Sequence, residues 1–212
     1  MLQGIDVSHW QGAVDWKKVA GAGFKFCFLK ATQGSGFVDK RVKANVAGAK
    51  AAGLYVGLYH YFTPTGDAGA QFGNFWATVL NCGGPKGLLV PVLDVEGDNQ
   101  NSLGGMDAGA YAKSCLAWLS YLKKKTGREG IVYTYPHFAK QLNGALGEYP
   151  LWIASYPKLT LESGKLTGVA GWDDWCFWQW SNAGRVAGVG GNVDVNSFKS
   201  DEAALQNMVM KG

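Results

Sequence analysis

Asp94 and Glu96 stand two residues apart at the end of the apolar segment "LLVPVLDVEG", residues 88–97. In an extended strand, side chains two apart share a face. The two acids therefore follow Val90 and Val92 on one face, while Leu89, Pro91, Leu93 and Val95 take the other. Two carboxylates on an inward face repel each other and are costly to bury unless something uses them. One of them must hold its proton above the usual carboxylate range, at about 1.4 kcal/mol for each unit of displacement. A protonated acid beside an ionised neighbour is the pairing that cleaves glycosidic bonds. One group protonates the leaving oxygen, and the other stabilises or attacks the oxocarbenium-like centre.

Two more acids close strand-like runs, Asp6 in "GID" and Asp194 in "VDV". Taken singly, Asp6 suits a cap or a turn. If the strands share one rim, all four carboxyls converge. The chain holds 9 Trp, 9 Tyr and 10 Phe, so most rings must pack a core. Trp10, Tyr59, Tyr61, Tyr135, Trp152, Trp178 and Trp180 sit at strand ends near the acids, where rings can stack on pyranose faces. Gln179 and Lys30 are placed to hydrogen-bond hydroxyl or carbonyl oxygens.

The elements that must position these groups are legible as alternating apolar runs and helical patterns. Strands are predicted over "LQGID", Phe24 to Lys30, Leu54 to Phe62, Leu88 to Glu96 and Ile131 to Tyr135. A helix is predicted from Asp39 to Ala52, stopped by Gly53. Another runs from about Asp107 to Lys125, with Ala112, Cys115, Leu116, Leu119 and Leu122 as its apolar stripe and three lysines before Gly127. Strand and helix in alternation predict parallel strands joined by crossovers, an α/β barrel whose catalytic rim lies at the C-terminal ends of the strands. The last third differs. "LWIAS", "CFWQWS" and "VDV" read as strands, and "NAGRVAGVGGN" is too short and glycine-rich for a helical crossover, so the TIM-like barrel is irregular there, with room for an antiparallel hairpin. "SDEAALQNMVMKG" reads as a closing helix.

With 212 residues, 47% hydrophobic and 17% charged, the chain suits one domain over 1–212. Its net charge of +4 comes from scattered lysines such as Lys123, Lys124 and Lys125, a solvated surface and not a nucleic-acid-binding block. Cys27, Cys82, Cys115 and Cys176 lack metal-site spacing and read as reduced thiols. His60 reads as a hydrogen-bonded packing histidine. "MLQGIDVSHW" lacks the features of a signal peptide, and no segment has membrane-spanning length, so synthesis in the cytosol without membrane insertion is expected.

Eight motifs in order, "GIDVSHWQG", "FLKATQG", "GLYHYF", "PVLDVEGD", "YTY", "LWIASY", "WQWS" and "VDVNSF", resemble glycoside hydrolase family 25, the Chalaropsis-type lysozymes, from Gly4 to Phe198. The resemblance implies five β/α units followed by three strands. It also implies an N-acetylmuramidase cutting the β-1,4 bond between N-acetylmuramic acid and N-acetylglucosamine in peptidoglycan glycan strands, with no cofactor or metal. By the same likeness Glu96 is the general acid and Asp94 its partner, Asp6 and Asp194 complete the cluster, and Tyr59 lines the groove. One departure is Gln33, where the family often carries an acid.

Three alternatives are weighed. A chitinase would place further aspartates where this chain has Val92 and Leu89. A metal-dependent hydrolase could use the four carboxyls, but only His9, His60 and His137 are present and no H-E-x-x-H spacing occurs. A catalytically inactive sugar-binding barrel would need the aromatics but not both acids. A wall-degrading domain without a leader predicts a phage or prophage endolysin, monomeric or homodimeric, that acts on the wall after release.

Overall fold

The structure is a computed structural model, and it describes residues 1–98, 102–156, 166 and 168–211. Its elements in chain order are β1 (Leu2–Val7), a 3-10 turn (His9–Gln11), α1 (Trp16–Gly21), β2 (Phe26–Gln33), β3 (Phe37–Val38), α2 (Val42–Ala51), β4 (Tyr55–Tyr61) and α3 (Ala68–Asn81). They continue with β5 (Val92–Asp94), α4 (Ala108–Thr126), β6 (Ile131–Thr134), α5 (Pro136–Gln141), β7 (Leu151–Ala154), β8 (Phe177–Gly184), β9 (Val193–Phe198) and α6 (Glu202–Asn207). Five strand-and-helix units are thus followed by three strands, as the resemblance implies.

Eight strands close into a barrel. Going round, β1, β2, β4, β5, β6, β7 and β8 pair in parallel. β9 lies antiparallel to both β8 and β1 and seals the ring. β3 is an antiparallel appendage on the end of β2. The hairpin predicted around "NAGRVAGVGGN" is the β8–β9 pair. α6 supplies the closing helix, capped by Asp201, whose side chain accepts from Ala204 N at 2.9 Å.

Local sequence accounts for the helices. The Asp107 side chain caps α4 by accepting from Ala110 N at 2.9 Å, and Gly127 ends it at φ 69°, a left-handed conformation open to glycine. The buried stripe of α4 is Tyr111, Ala112, Cys115, Trp118, Leu119 and Leu122. Leu116, expected in that stripe, is exposed. α2 starts at Val42 and not at Asp39, whose carboxylate accepts from His9 N and Arg41 N. α3, capped by Asp67, was not among the predicted helices; it buries Ala68, Gln71, Phe75, Thr78 and Val79.

The predicted strand over 88–96 shrinks to the three residues of β5. Residues 88–91 make only isolated bridges, Val56 to Leu88 and Leu89 to Val209. Without strand alternation there, Leu89 joins the same cluster as Val90 and Val92 instead of packing outside with Leu93 and Val95.

The barrel's lower interior is filled by Phe26, Phe28, Val92, Ile131, Trp152, Phe177 and Phe198. Rings interlock edge-to-face, Phe28 against Phe177 at 5.0 Å and Phe26 against Phe177 at 5.2 Å. Glycines make the room: a Cβ on Gly57 would lie 2.3 Å from the Phe28 ring, and one on Gly4 would lie 2.4 Å from Phe26. All four cysteines are free. His60 is buried: Nε2 donates to Gln71 Oε1 at 3.2 Å, Nδ1 accepts from Thr32 Oγ1 at 2.7 Å, and the ring stacks on Trp118. Among the described residues no helix is long and apolar enough to cross a membrane.

Candidate active site

Above the aromatic floor lies a hollow of about 290 Å³, lined by Asp6, Tyr59, Asp94, Glu96, Tyr133, Trp152, Tyr156, Gln179, Asn182 and Asp194. The four acids therefore meet, although they are scattered through the sequence. Asp6 and Asp194 are direct cross-strand neighbours. Asp194 reaches this rim near the start of β9, not at the end of a parallel strand, because β9 runs the other way.

β5 is short, but its acids are held by backbone bonds. Phe62 N donates to Asp94 O at 2.9 Å, Val95 N to Tyr133 O at 2.8 Å, and Thr134 Oγ1 to Val95 O at 2.8 Å. Gly97, at φ 83°, turns the chain immediately after Glu96, and a Cβ there would meet Ser102 O at 2.3 Å. Asp94 is only 5% exposed, whereas Glu96 is half-buried and reaches the open hollow.

Asp6 is held by amides. Gln179 Nε2 donates to Asp6 Oδ2 at 2.9 Å and Asn196 Nδ2 donates to the same oxygen at 2.8 Å. Each amide is oriented in turn: Tyr156 OH donates to Gln179 Oε1, Tyr133 OH donates to the same oxygen at 2.9 Å, and Trp152 Nε1 donates to Asn196 Oδ1 at 2.8 Å. With both carbonyl oxygens occupied by donors, both NH₂ groups must face Asp6.

Burial is the first cause of every carboxyl shift here. It pushes Asp6 up to about 6, with the Asn196 and Gln179 amides pulling the other way. Asp194 is pushed up to about 8 by burial and then by the charge of Asp6. Asp94 lies well above the usual carboxylate range, through burial and then the charge of Glu96. Glu96 is also raised by burial, and a hydrogen bond from Asp94 moderates the rise. The free site therefore holds protons on Asp94, which donates to Glu96, and on Asp194, which faces Asp6. Lys30 is drawn down by burial against the pull of Asp94, Asp39 and Glu96.

Of the sequence-predicted residues, Asp6, Asp94, Glu96, Asp194, Tyr59, Trp152 and Gln179 line the hollow. Lys30, Tyr61 and Tyr135 adjoin it. Lys30 Nζ donates to Gln33 Oε1 at 2.8 Å and lies 4.8 Å from the Tyr61 ring centre, and the Tyr61 hydroxyl donates to Asp98 O at 3.1 Å. Gln33 thus engages the lysine from the position where an acid was expected. The charge of Glu96 reaches the Tyr135 hydroxyl and raises it after burial. Trp10 stands on the 3-10 turn outside the hollow. The ring of Trp152 is stacked on Phe28 at 4.5 Å, so it forms floor and is no open platform. Trp178 and Trp180 have the opposite parity to Gln179 and pack in the outer core.

Tyr133, Tyr156, Asn182 and Asn196 were not singled out in the sequence. Two of them carried a signal: Tyr133 shares its face with Tyr135, and Asn196 shares its face with Asp194. Among the described residues no group of three or more His, Cys, Asp and Glu is arranged to hold a metal ion.

Comparison with known proteins agrees with this geometry. The family model for glycosyl hydrolases family 25 matches residues 5–189. Lysozyme M1 of Streptomyces globisporus is 34% identical over 215 residues, covering 96% of this chain and 70% of its own length. The N,O-diacetylmuramidase of Chalaropsis sp is 27% identical, over 91% of this chain and 96% of its own. The crystal structure of the bacterial lysozyme from Streptomyces coelicolor superposes with a TM-score of 0.86 at 31% identity, covering 98% of this chain and 96% of that one. The family 25 glycosyl hydrolase from Bacillus anthracis gives 0.84 at 29% identity, over 99% and 94%. A family match that spans most of the barrel, and a relative above 30% identity along nearly the whole chain, place this protein in glycosyl hydrolases family 25, and it is a glycoside hydrolase.

Proposed function

We propose that this chain is a muramidase that hydrolyses the β-1,4 bond between N-acetylmuramic acid and N-acetylglucosamine in peptidoglycan, with Glu96 as general acid and Asp94 assisting the substrate's own acetamido group. The observation that carries this reading is the unequal placement of the pair. Both acids line the hollow, but Glu96 is half-buried, whereas Asp94 is only 5% exposed and hydrogen-bonded to Glu96. The exposed member can meet a leaving oxygen, and the buried one can fix a group set deeper in the site.

The steps follow from where the proton sits. In the free site Asp94 donates to Glu96. When a sugar enters, its acetamido N–H donates to Asp94, which stabilises Asp94 as a carboxylate and moves the shared proton onto Glu96. The acetamido oxygen then attacks the anomeric carbon while the bond to the leaving oxygen breaks and takes the Glu96 proton. Water opens the resulting ring after giving its proton to Glu96, with net retention, a substrate-assisted variant of the two-carboxylate scheme. Asp6, fixed by its amides, and protonated Asp194 form the opposite wall, and Tyr59, Lys30, Tyr61 and Tyr135 complete the surroundings. No cofactor or metal is called for.

Mass spectrometry of fragments released from purified cell walls tests the bond. The expected new reducing end is N-acetylmuramic acid, and reducing ends on N-acetylglucosamine would contradict the reading. Proton NMR of the first-formed anomer tests the route. Retention is expected, and inversion would replace Asp94's role with a water-activating base, for which Asp194 is the candidate.

A further inference from the structure

Trp10 is 82% exposed, although burying so large an apolar side chain is favourable. It is also held firmly where it stands. Ser8 Oγ accepts from Trp10 N at 3.3 Å, and Gln11 Oε1 accepts from Ser8 N at 2.9 Å, a reciprocal cap on a three-residue turn. His9, next to it, is anchored by two bonds to one oxygen of Asp39, from its backbone N and from Nδ1, each at 2.8 Å. Asp39 is itself buried and accepts from Arg41 N at 2.8 Å.

A second exposed ring lies alongside. Phe37, on the short appended strand β3, is 42% exposed, with its ring centre 5.8 Å from that of His9, and the His9 and Trp10 centres are 4.8 Å apart. The row continues inward. Lys30 Nζ lies 5.7 Å from the Phe37 ring and 4.8 Å from the Tyr61 ring, and its charge couples to Asp94 and Glu96. Trp10, His9, Phe37, Lys30 and Tyr61 therefore form a ledge of neighbouring side chains that runs from the surface to Tyr61, the cross-strand neighbour of Asp94.

We propose that this ledge, with Trp10 and Phe37 at its outer end, is a distal glycan subsite, holding a pyranose of the same strand beyond the sugars seated in the hollow. The proposal rests on the muramidase reading and extends it to the length of substrate recognised. The chemistry fits a sugar. Ring faces meet the C–H face of a pyranose, while the His9 ring and the Lys30 ammonium offer polar partners to its hydroxyl and carbonyl edges. The ledge is interrupted by these polar groups, and its inner end, Tyr61, pairs with Asp94 of the hollow. An extended polysaccharide leaving that hollow meets each of these conditions.

The test uses the whole chain carrying Glu96→Gln, with and without Trp10→Ala, titrated calorimetrically with peptide-free peptidoglycan tetrasaccharides and with strands of eight or more sugars. With Trp10 present, long strands bind more tightly than short ones. Trp10→Ala reduces that preference about tenfold, the loss expected for a truncated aromatic anchor. Phe37→Ala lowers it in the same direction, and Trp10→Phe restores most of it, which a purely structural role would not produce. An unchanged ratio of long- to short-strand affinity would overturn the subsite while leaving the hollow's assignment intact. A ratio that responds to Trp10 only on peptide-bearing strands would also overturn it, and would give the ledge to the peptide stem. Failure of the Glu96→Gln chain to bind either strand would bring down both readings.

Discussion

The lower and upper halves of the barrel interior come from the same strands and the same alternating face, yet one is filled with rings and the other with acids and amides. Below, Phe26, Phe28, Trp152, Phe177 and Phe198 interlock with glycines at the contact points. Above, on the same inward face, stand Asp6 of β1, Asp94 of β5, Gln179 of β8 and Asp194 of β9. Trp152 belongs to both, stacked on Phe28 below while its indole N–H orients the amide that holds Asp6. The rings are what deprive the acids of water. In all four carboxyls burial is the leading cause of the upward shift, ahead of any neighbouring charge. A dry floor and a reactive rim are therefore one construction, and each half can be perturbed to see what it gives the other.

The largest effect is expected at the rim. Glu96→Gln should lower turnover by about 100- to 10,000-fold while the fold survives, measured as release of reducing ends from purified walls. Lysis at the native rate would remove Glu96 as the acid. At the floor, Phe28→Ala should cost about 3–5 kcal/mol of stability, read from the urea midpoint. It should also admit water beneath the acids and move the alkaline limb of the activity profile to lower pH. A large loss of stability with an unmoved pH profile would separate the two halves.

Asp194→Asn should act through pH. In the fold Asp194 is held up to about 8, against an ordinary 3.8, so the folded chain binds that proton more tightly between those values. Stability is therefore lost as pH rises through that window, and the whole cost is present above pH 8. Removing the acid should change little near pH 3 and should raise stability at pH 9, measured by thermal unfolding at both values. The smallest effect belongs to Tyr156→Phe. Tyr133 still donates to Gln179 Oε1, so the loss should stay near 1 kcal/mol and activity should fall less than tenfold. A larger fall would mean that Tyr156, 44% exposed at the rim, meets the substrate directly.

Much of this was legible in the sequence because strand alternation is a strict rule. The spacing of Asp94 and Glu96 located the pair, and the run of strands and helices located the barrel. Failures came where the rule lapses. Leu89 was assigned outward on the assumption that residues 88–91 are a strand, which they are not. Trp10 was read as lying beside the acids, and only its placement differs: it stands outside the hollow, beyond the end of β1, on a turn anchored through Asp39, 29 residues away. Trp178 and Trp180 were grouped with Gln179 by proximity in the chain, although alternation puts them on the other face. Tyr156 lies two residues beyond the end of β7, in the same alternation as Trp152, and was passed over because it falls outside the strand. The orientation of Asp194 required knowing that β9 is antiparallel, which the glycine-rich connection suggested but did not impose.

The central claim is that an aromatic floor keeps a proton on the Asp94 and Glu96 pair at a pH where free carboxylic acids have lost theirs. Carbon-13 NMR titration of the side-chain carboxyl carbons in the intact, selectively labelled protein measures this directly. The expected result is an Asp94 carboxyl that keeps its proton well above the usual carboxylate range, with Asp194 titrating near 8. If instead all four carboxyls lost their protons between about pH 3 and 5, as unperturbed groups do, the account would be wrong.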